Sequence, residues 1–272
     1  MMTLSAHTKS DQVRYVATTS YVPPLDRVPA RLEDAFELYL GDLRAATALG
    51  CEICFGAEYQ TAWRLMHSNA VERPDGVRSI FLRPCFEAVV CSYVEVFRAD
   101  FSAAAFMNLA AALTLAPIGP RKEGSGKTTP YQGVALRYDP DIDPKARLNE
   151  LLSEIGHLSE TAPLPRMLEI YAALKLAQPL SDSNSRTANA VLALLICRNS
   201  HNVGAAFSLA PIFLSHPSRS FAAWRALGER RDWEPLVELL TDGFCDLRET
   251  RRRAALRSVP AERKSDHHAG GG

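Results

Sequence analysis

No run of apolar residues in this sequence is long enough to cross a bilayer. The longest, around Phe101 to Ile118, is broken by Asn108 and Thr114 and closes at Pro117. Residues 1–25 carry Thr18, Thr19 and Ser20 and no apolar stretch of signal-peptide length, so no export leader is expected. Net charge is also lacking: 31 Lys and Arg offset 31 Asp and Glu, leaving no overall field to attract nucleic acid or an acidic membrane. The basic run Arg251, Arg252, Arg253 is the one local exception and is expected as a solvated helix face. The six cysteines are scattered and read as reduced thiols rather than a disulfide framework. Cys51 and Cys54 form a CxxC with no second pair, two ligands short of a structural zinc site. There is no internal repeat. These absences leave a cytoplasmic protein with no nucleic-acid or membrane partner as the expectation, export as an effector remaining open.

What is present is apolar mass at helical spacing. With 47% hydrophobic residues, the chain can bury a substantial core. Leu32, Phe36, Tyr39 and Leu43 recur every three or four positions, and Gly50 offers a stop. A second helix is expected from about Glu52 through Trp63 and Met66, and a third through Phe86, Val90 and Phe97. Asp100 or Ser102 can cap a fourth. Gly133 to Tyr138 alternates like a short strand, and Asp143 followed by Pro144 signals a helix start. Further helices are expected over about 165–177, over the nearly all-apolar run from Val191 to Ile196, and around 221–227 and 234–247. Trp63, Trp224 and Trp233 fall on apolar helix faces. The expected fold is mostly α with one small β element. Its expected organisation is a disordered segment over 1–28, a helical region over 29–115, a core over 116–248 and a basic, disordered tail over 249–272.

The segment Gln178 to Asn189 carries the chemistry. A polar loop opening onto a buried helix presents unpaired first-turn amides at the positive end of the helix dipole, a place that attracts phosphate. Asp182 is a carboxylate suited to Mg²⁺, and Arg186 can form two-pronged bonds to phosphate oxygens. The same residue types also make an ordinary Asp/Ser/Asn helix cap.

In register, Gln178, Pro179, Asp182, Ser183, Asn184, Ser185, Arg186 and Asn189 resemble the motif of the Fic (Fido) family, His-Pro-Phe-x-(Asp/Glu)-(Gly/Ala)-Asn-(Gly/Lys)-Arg-x-x-Arg. Pro179, Asp182, Asn184 and Arg186 match it. Ser68, Asn69, Ala70, Val71 and Glu72 resemble the family's upstream inhibitory helix, and the strand at 133–138 sits where the family has its flap hairpin. The resemblance spans roughly residues 30–240. It implies a Fic-type helical bundle with a small β-hairpin flap and, in an active member, AMPylation: transfer of AMP from Mg-ATP to a hydroxyl of a target protein docked near residues 129–139. Asp182 would hold Mg²⁺, while Ser183, Asn184, Ser185, Arg186, Asn189 and the helix amides would bind phosphate. Glu72, with Ser68, would form the inhibitory motif.

The departures bear on activity. Gln178 stands where the family has its general base, and an amide cannot accept a proton at neutral pH. A positioned base is worth about 10²–10⁴ in rate. Ser183 and Ser185 stand where glycine is usual, which resists left-handed backbone. Asn189 replaces the second phosphate-clamping arginine, the expected partner of Glu72. The sequence therefore points to a pseudoenzyme or interaction protein with a remnant Mg-nucleotide site, with an active nucleotidyltransferase as the alternative. His157 and His201 are candidate substitute bases. Gly124 to Thr129 has the composition of a phosphate-binding loop, but Arg121 occupies the required glycine position and Pro130 follows where a helix should begin, so it reads as a connector. His267 and His268 are read as incidental.

Overall fold

Helices make up most of the structure, and their limits follow local chemistry. The computed structural model describes residues 13–19, 21–48, 102–113, 117–122, 131–139, 141–158, 162–199 and 210–258. The helices expected from about Glu52 to Met66 and through Phe86 to Phe97, Ser68 and Glu72, the CxxC at 51 and 54, Trp63, the connector at 124–129, His201, His267 and His268 lie outside the described residues.

Helix α1, Ala30–Ala48, buries Leu32, Ala35, Phe36, Tyr39 and Leu40 along one stripe. Helix α2, Ala103–Ala112, begins at Ser102, whose hydroxyl accepts from the Ala105 amide at 3.1 Å. Strand β2, Val134–Tyr138, leads to helix α3, Pro144–Gly156, where Asp143 accepts from the Lys145 amide at 2.9 Å and Pro144 occupies the first turn. Helices α4, Leu164–Ala177, and α5, Asn184–Asn199, follow. Then come α6, Ala210–Ser215, α7, Pro217–Arg230, and α8, Glu234–Ser258.

The centre of the molecule is the α4–α5 pair. On α4, Met167, Leu168, Ile170, Tyr171, Leu174 and Leu176 are buried, and α5 buries Ala188, Val191, Leu192, Leu194, Leu195 and Ile196. A helix apolar on nearly all sides belongs in the interior. Helix α1 packs against α8, where Phe36 and Tyr39 each place a ring 5.5 Å from that of Phe244. Arg248 donates to Asp42 at 2.8 Å across the same seam. Among the described residues, no helix is long and apolar enough to cross a membrane.

The β element departs from the expected hairpin. Among the described residues, β2 pairs in parallel with β1, Arg14–Thr18, in the register Arg14 to Val134 through Thr18 to Tyr138. Parallel strands cannot be joined by a tight turn and require a long connection, which here is most of the first half of the chain. The tight turn that does exist, closed between Tyr131 and Val134 with Gln132 and Gly133 at positive φ, leads into β2 without supplying its partner. Residues 14–18 thus belong to the fold although they fall within the segment expected to be disordered. At the other end, α8 runs past 249 to Ser258.

Candidate functional site

The loop between α4 and α5 is held from several directions. Gln178 ends α4 in the left-handed region at φ 43°, and Ser183 re-enters that region at φ 62° just before α5 begins. Between them, the chain runs antiparallel to residues 119–121. The Arg121 amide donates to the Pro179 carbonyl at 2.9 Å, and the Ser181 amide donates to the Gly119 carbonyl at 2.9 Å. The Asn184 side chain clamps Leu180 from both sides, accepting from its amide and donating to its carbonyl, each at 2.8 Å. The polar half of the segment is therefore a braced turn, and its apolar half is a core helix.

The described site residues each have a definite place, most of them in that turn or on the first turns of α5. Asp182 is exposed and takes the Ser183 amide on one carboxylate oxygen. Arg186, one helical turn on, lies 3.7 Å from Asp182 on the same side, yet its Nη1 donates to the Leu113 carbonyl at the end of α2, at 2.7 Å. Burial disfavours the Arg186 charge, and Asp182 offsets this in part. Asn189 is buried and accepts from the Tyr171 hydroxyl at 2.9 Å, so it ties α5 to α4. Burial in turn pushes the Tyr171 phenol well above its usual range. Ser185 is exposed and accepts from Lys175 Nζ at 3.0 Å. Gln178 is half-buried at the corner. His157 caps α3 and is exposed.

Three polar groups at the turn are left over. Among the described residues, the Ser183 and Thr187 hydroxyls, one helical turn apart, are buried without a partner. Arg121 is 6% exposed; among the described residues its Nε and Nη1 have no partner, while Nη2 reaches the Ala177 carbonyl at 3.5 Å. Burial lowers the Arg121 pKa, against a smaller opposing effect of Asp139. Buried donors without partners are costly and demand an explanation, a bound water or a ligand among them. Neither Arg121 nor Lys175 stands out in the sequence as part of this site. Arg121 lies in a loop with no periodicity to read, whereas a lysine inside the apolar run of α4 is a signal that could have flagged the second.

No protein-family model and no curated protein matches this chain.

Among the described residues, no three His, Cys, Asp or Glu side chains gather as a metal site. Asp182 is a single carboxylate with one oxygen already engaged. Mg²⁺ commonly takes one or two carboxylates together with ligand phosphates, so Asp182 fits that ion only alongside a phosphate-bearing molecule. A separate cavity of about 610 Å³ is lined by Tyr21, Arg147, Glu150, Glu154, Arg166 and Glu169 and shares no residue with the loop. Its charges are spent on one another: Arg147 on Glu150 at 2.8 Å, and Arg166 on Glu169 at 2.8 Å and Glu154 at 3.2 Å. That cavity reads as a network joining α3 to α4.

Proposed function

We propose that this chain is a Fic-like protein with a degenerate catalytic loop, which binds a Mg-nucleotide at the tip of α5 and works as a regulatory or interaction protein. The reading is carried by one observation. The turn at 178–183 opens onto the first amides of a buried helix, with Asp182 and Arg186 on one side and unpaired buried donors beside it. Helix-terminal amides with a nearby guanidinium favour phosphate. Arg121, which has two nitrogens unpaired, is the cation to take the role that Asn189 cannot.

The lean away from transfer chemistry rests on what the loop residues already do. Gln178 can orient a hydroxyl but cannot deprotonate it. Arg186 is spent largely on the Leu113 carbonyl and Asn189 on Tyr171. A protein partner would engage the segment around 129–139, whose described part is the turn at Tyr131 and strand β2. The transferase alternative lacks a base at 178 and a clamping arginine at 189, the second a role open to Arg121.

Calorimetry with Mg-ATP is the direct test. Binding is expected in the wild-type chain, weakened in Asp182→Ala and in Arg121→Met. Radiolabelled ATP should leave the wild-type chain unlabelled, and label appearing in Gln178→His would reveal a nucleotide site that lacks only its base. Absence of binding in calorimetry together with absence of label in Gln178→His would sink the nucleotide reading. Strong labelling of or by the wild-type chain would favour the transferase.

A further inference from the structure

Lys175 and Ser185 meet across the α4–α5 seam, at the helix end that the nucleotide reading also uses, and the pairing of amine with hydroxyl is a chemistry which that reading leaves aside. Lys175 Nζ lies 3.0 Å from Ser185 Oγ. The Ser185 residue is exposed, so a reactant can reach its hydroxyl. The lysine sits behind it in an aromatic box, Nζ lying 5.2 Å from the centre of the Trp224 ring and 5.7 Å from that of Phe213. The two rings are themselves packed at 5.8 Å, and Trp224 meets Tyr171 edge-on at 5.6 Å. Bulk water is thus kept from one side of the amine and admitted to the serine on the other.

We propose that Lys175 and Ser185 form a nucleophilic pair, with Ser185 Oγ as the attacking atom, Lys175 Nζ as its base, and a small activated carboxylic ester as the class of substrate. A serine hydroxyl is a weak nucleophile until a neighbouring base takes its proton, and an amine held away from water can serve. Burial pushes the Lys175 ammonium down to about 8, so a useful fraction is neutral near physiological pH. The rings oppose that shift by attracting the cation.

Among the described residues, the groups recorded against Nζ are uncharged: the Ser185 hydroxyl from α5, Phe213 from α6 and Trp224 from α7. Tyr171, on α4 itself, is held protonated by burial. The cations of adjoining segments, Arg121 and Arg186, turn to the carbonyls of Ala177 and Leu113.

In the acylation step, neutral Nζ takes the Oγ proton as Oγ bonds to the ester carbonyl carbon. The carbonyl electron pair moves onto oxygen, for which the first-turn amides of α5, at Ser185 and Arg186, are the donors available. Collapse of that adduct breaks the bond to the alkoxide, which leaves with the proton from Nζ. Water then repeats the sequence on the acyl-serine, returning a carboxylic acid and free Ser185. No oxidant, metal or cofactor enters the balance.

The test uses the intact chain, a fluorophosphonate probe and p-nitrophenyl acetate. The fluorophosphonate should mark Ser185 stoichiometrically as fluoride and the serine proton are lost, and mass spectrometry of peptides reads the position. The rate of marking should rise with pH and level off above about 8. Ser185→Ala, at an exposed position, should abolish both the adduct and the release of p-nitrophenolate. Lys175→Met fills the same aromatic box without a base, and Lys175→Arg keeps the charge but cannot be deprotonated. Each should slow marking by about 10²-fold or more, with melting temperatures measured to show that the variants fold. An adduct on Lys175 or on another residue overturns the proposal. So does a flat pH profile, a rate in Lys175→Arg equal to that of the wild type, or no adduct at all. The reactions are run without nucleotide, so none of these outcomes depends on whether Mg-ATP binds.

Discussion

Lys175 shows how one residue can carry both a stability cost and a chemical use. Its ammonium ordinarily titrates near 10.5, and in the fold burial brings it down to about 8. Between those values the unfolded chain holds a proton that the folded chain has released, so stability rises with pH across the window. Tyr138 and Tyr171 act in the opposite sense: burial raises both, so their contribution is lost as pH climbs above 10. The interval from about pH 8 to 9.5 therefore isolates the lysine. Comparing urea unfolding of the wild type with Lys175→Met cancels the tyrosines, which both chains share. The wild type should gain on the order of 2 kcal/mol relative to the variant from pH 8 to 9.5. A constant difference would mean that the ammonium is solvated in the fold. The sequence exposes the oddity, a lysine within an apolar helix, but not its partner. Ser185 and the two rings come from three other helices, and spacing along one element cannot bring them together.

The α4–turn–α5 unit separates what local sequence can state from what it cannot. The polar half and apolar half of 178–199 are readable as turn and core helix, because polar caps and buried helices leave compositional marks. The caps at Ser102 and Asp143 are readable for the same reason. Ser183 and Ser185 look equivalent in the sequence, both standing where glycine is usual, and the fold sets them apart. Ser183 has φ 62° and a buried hydroxyl with no partner, whereas Ser185 lies in the first turn of α5 with ordinary helical backbone. Opposite outcomes follow for the two glycine substitutions. Ser183→Gly relieves a left-handed strain of about 1–2 kcal/mol and removes the orphaned hydroxyl, against a smaller entropic loss in the unfolded chain, so it should stabilise by about 1 kcal/mol. Ser185→Gly places glycine in a helix and should destabilise by about 0.5–1 kcal/mol. Thermal melts of the two variants read the signs directly, and equal signs would mean the turn is not held as described. The uses of Arg186 and Asn189 are not legible at this scale either. Their partners, the Leu113 carbonyl and Tyr171, belong to other helices, so a motif position alone could not reveal that both side chains are already engaged.

At the scale of the whole molecule, the part that the sequence leaves unread is the pairing of β1 with β2. Helix periodicity is local, but a parallel pair between segments so far apart leaves no short-range trace. Leu136 and Tyr138 of β2 sit in the core, and β1 meets the helical body at a close approach to α7. The Thr19 amide donates to the Gly228 carbonyl at 3.0 Å, and a Cβ built on Gly228 would stand 2.8 Å from Thr18 Cβ. Alanine usually strengthens an exposed helix by about 0.5–1 kcal/mol over glycine. At Gly228 the contact reverses the sign: α7 and β1 must separate, at a cost of about 1–3 kcal/mol for an overpacked site. Gly41 in α1 is the internal control, because a Cβ placed on it would meet nothing within 4 Å, and Gly41→Ala should show the ordinary helical gain. Hydrogen exchange resolves where the loss falls. In Gly228→Ala, the amides of residues 14–19 and 134–138 should exchange faster while those of α4 and α5 keep their protection, since the central helices bury their faces on each other. Uniform loss across α4 and α5 would mean that the sheet supports the core, and undiminished protection of β1 would mean that its contact with α7 is not what holds it.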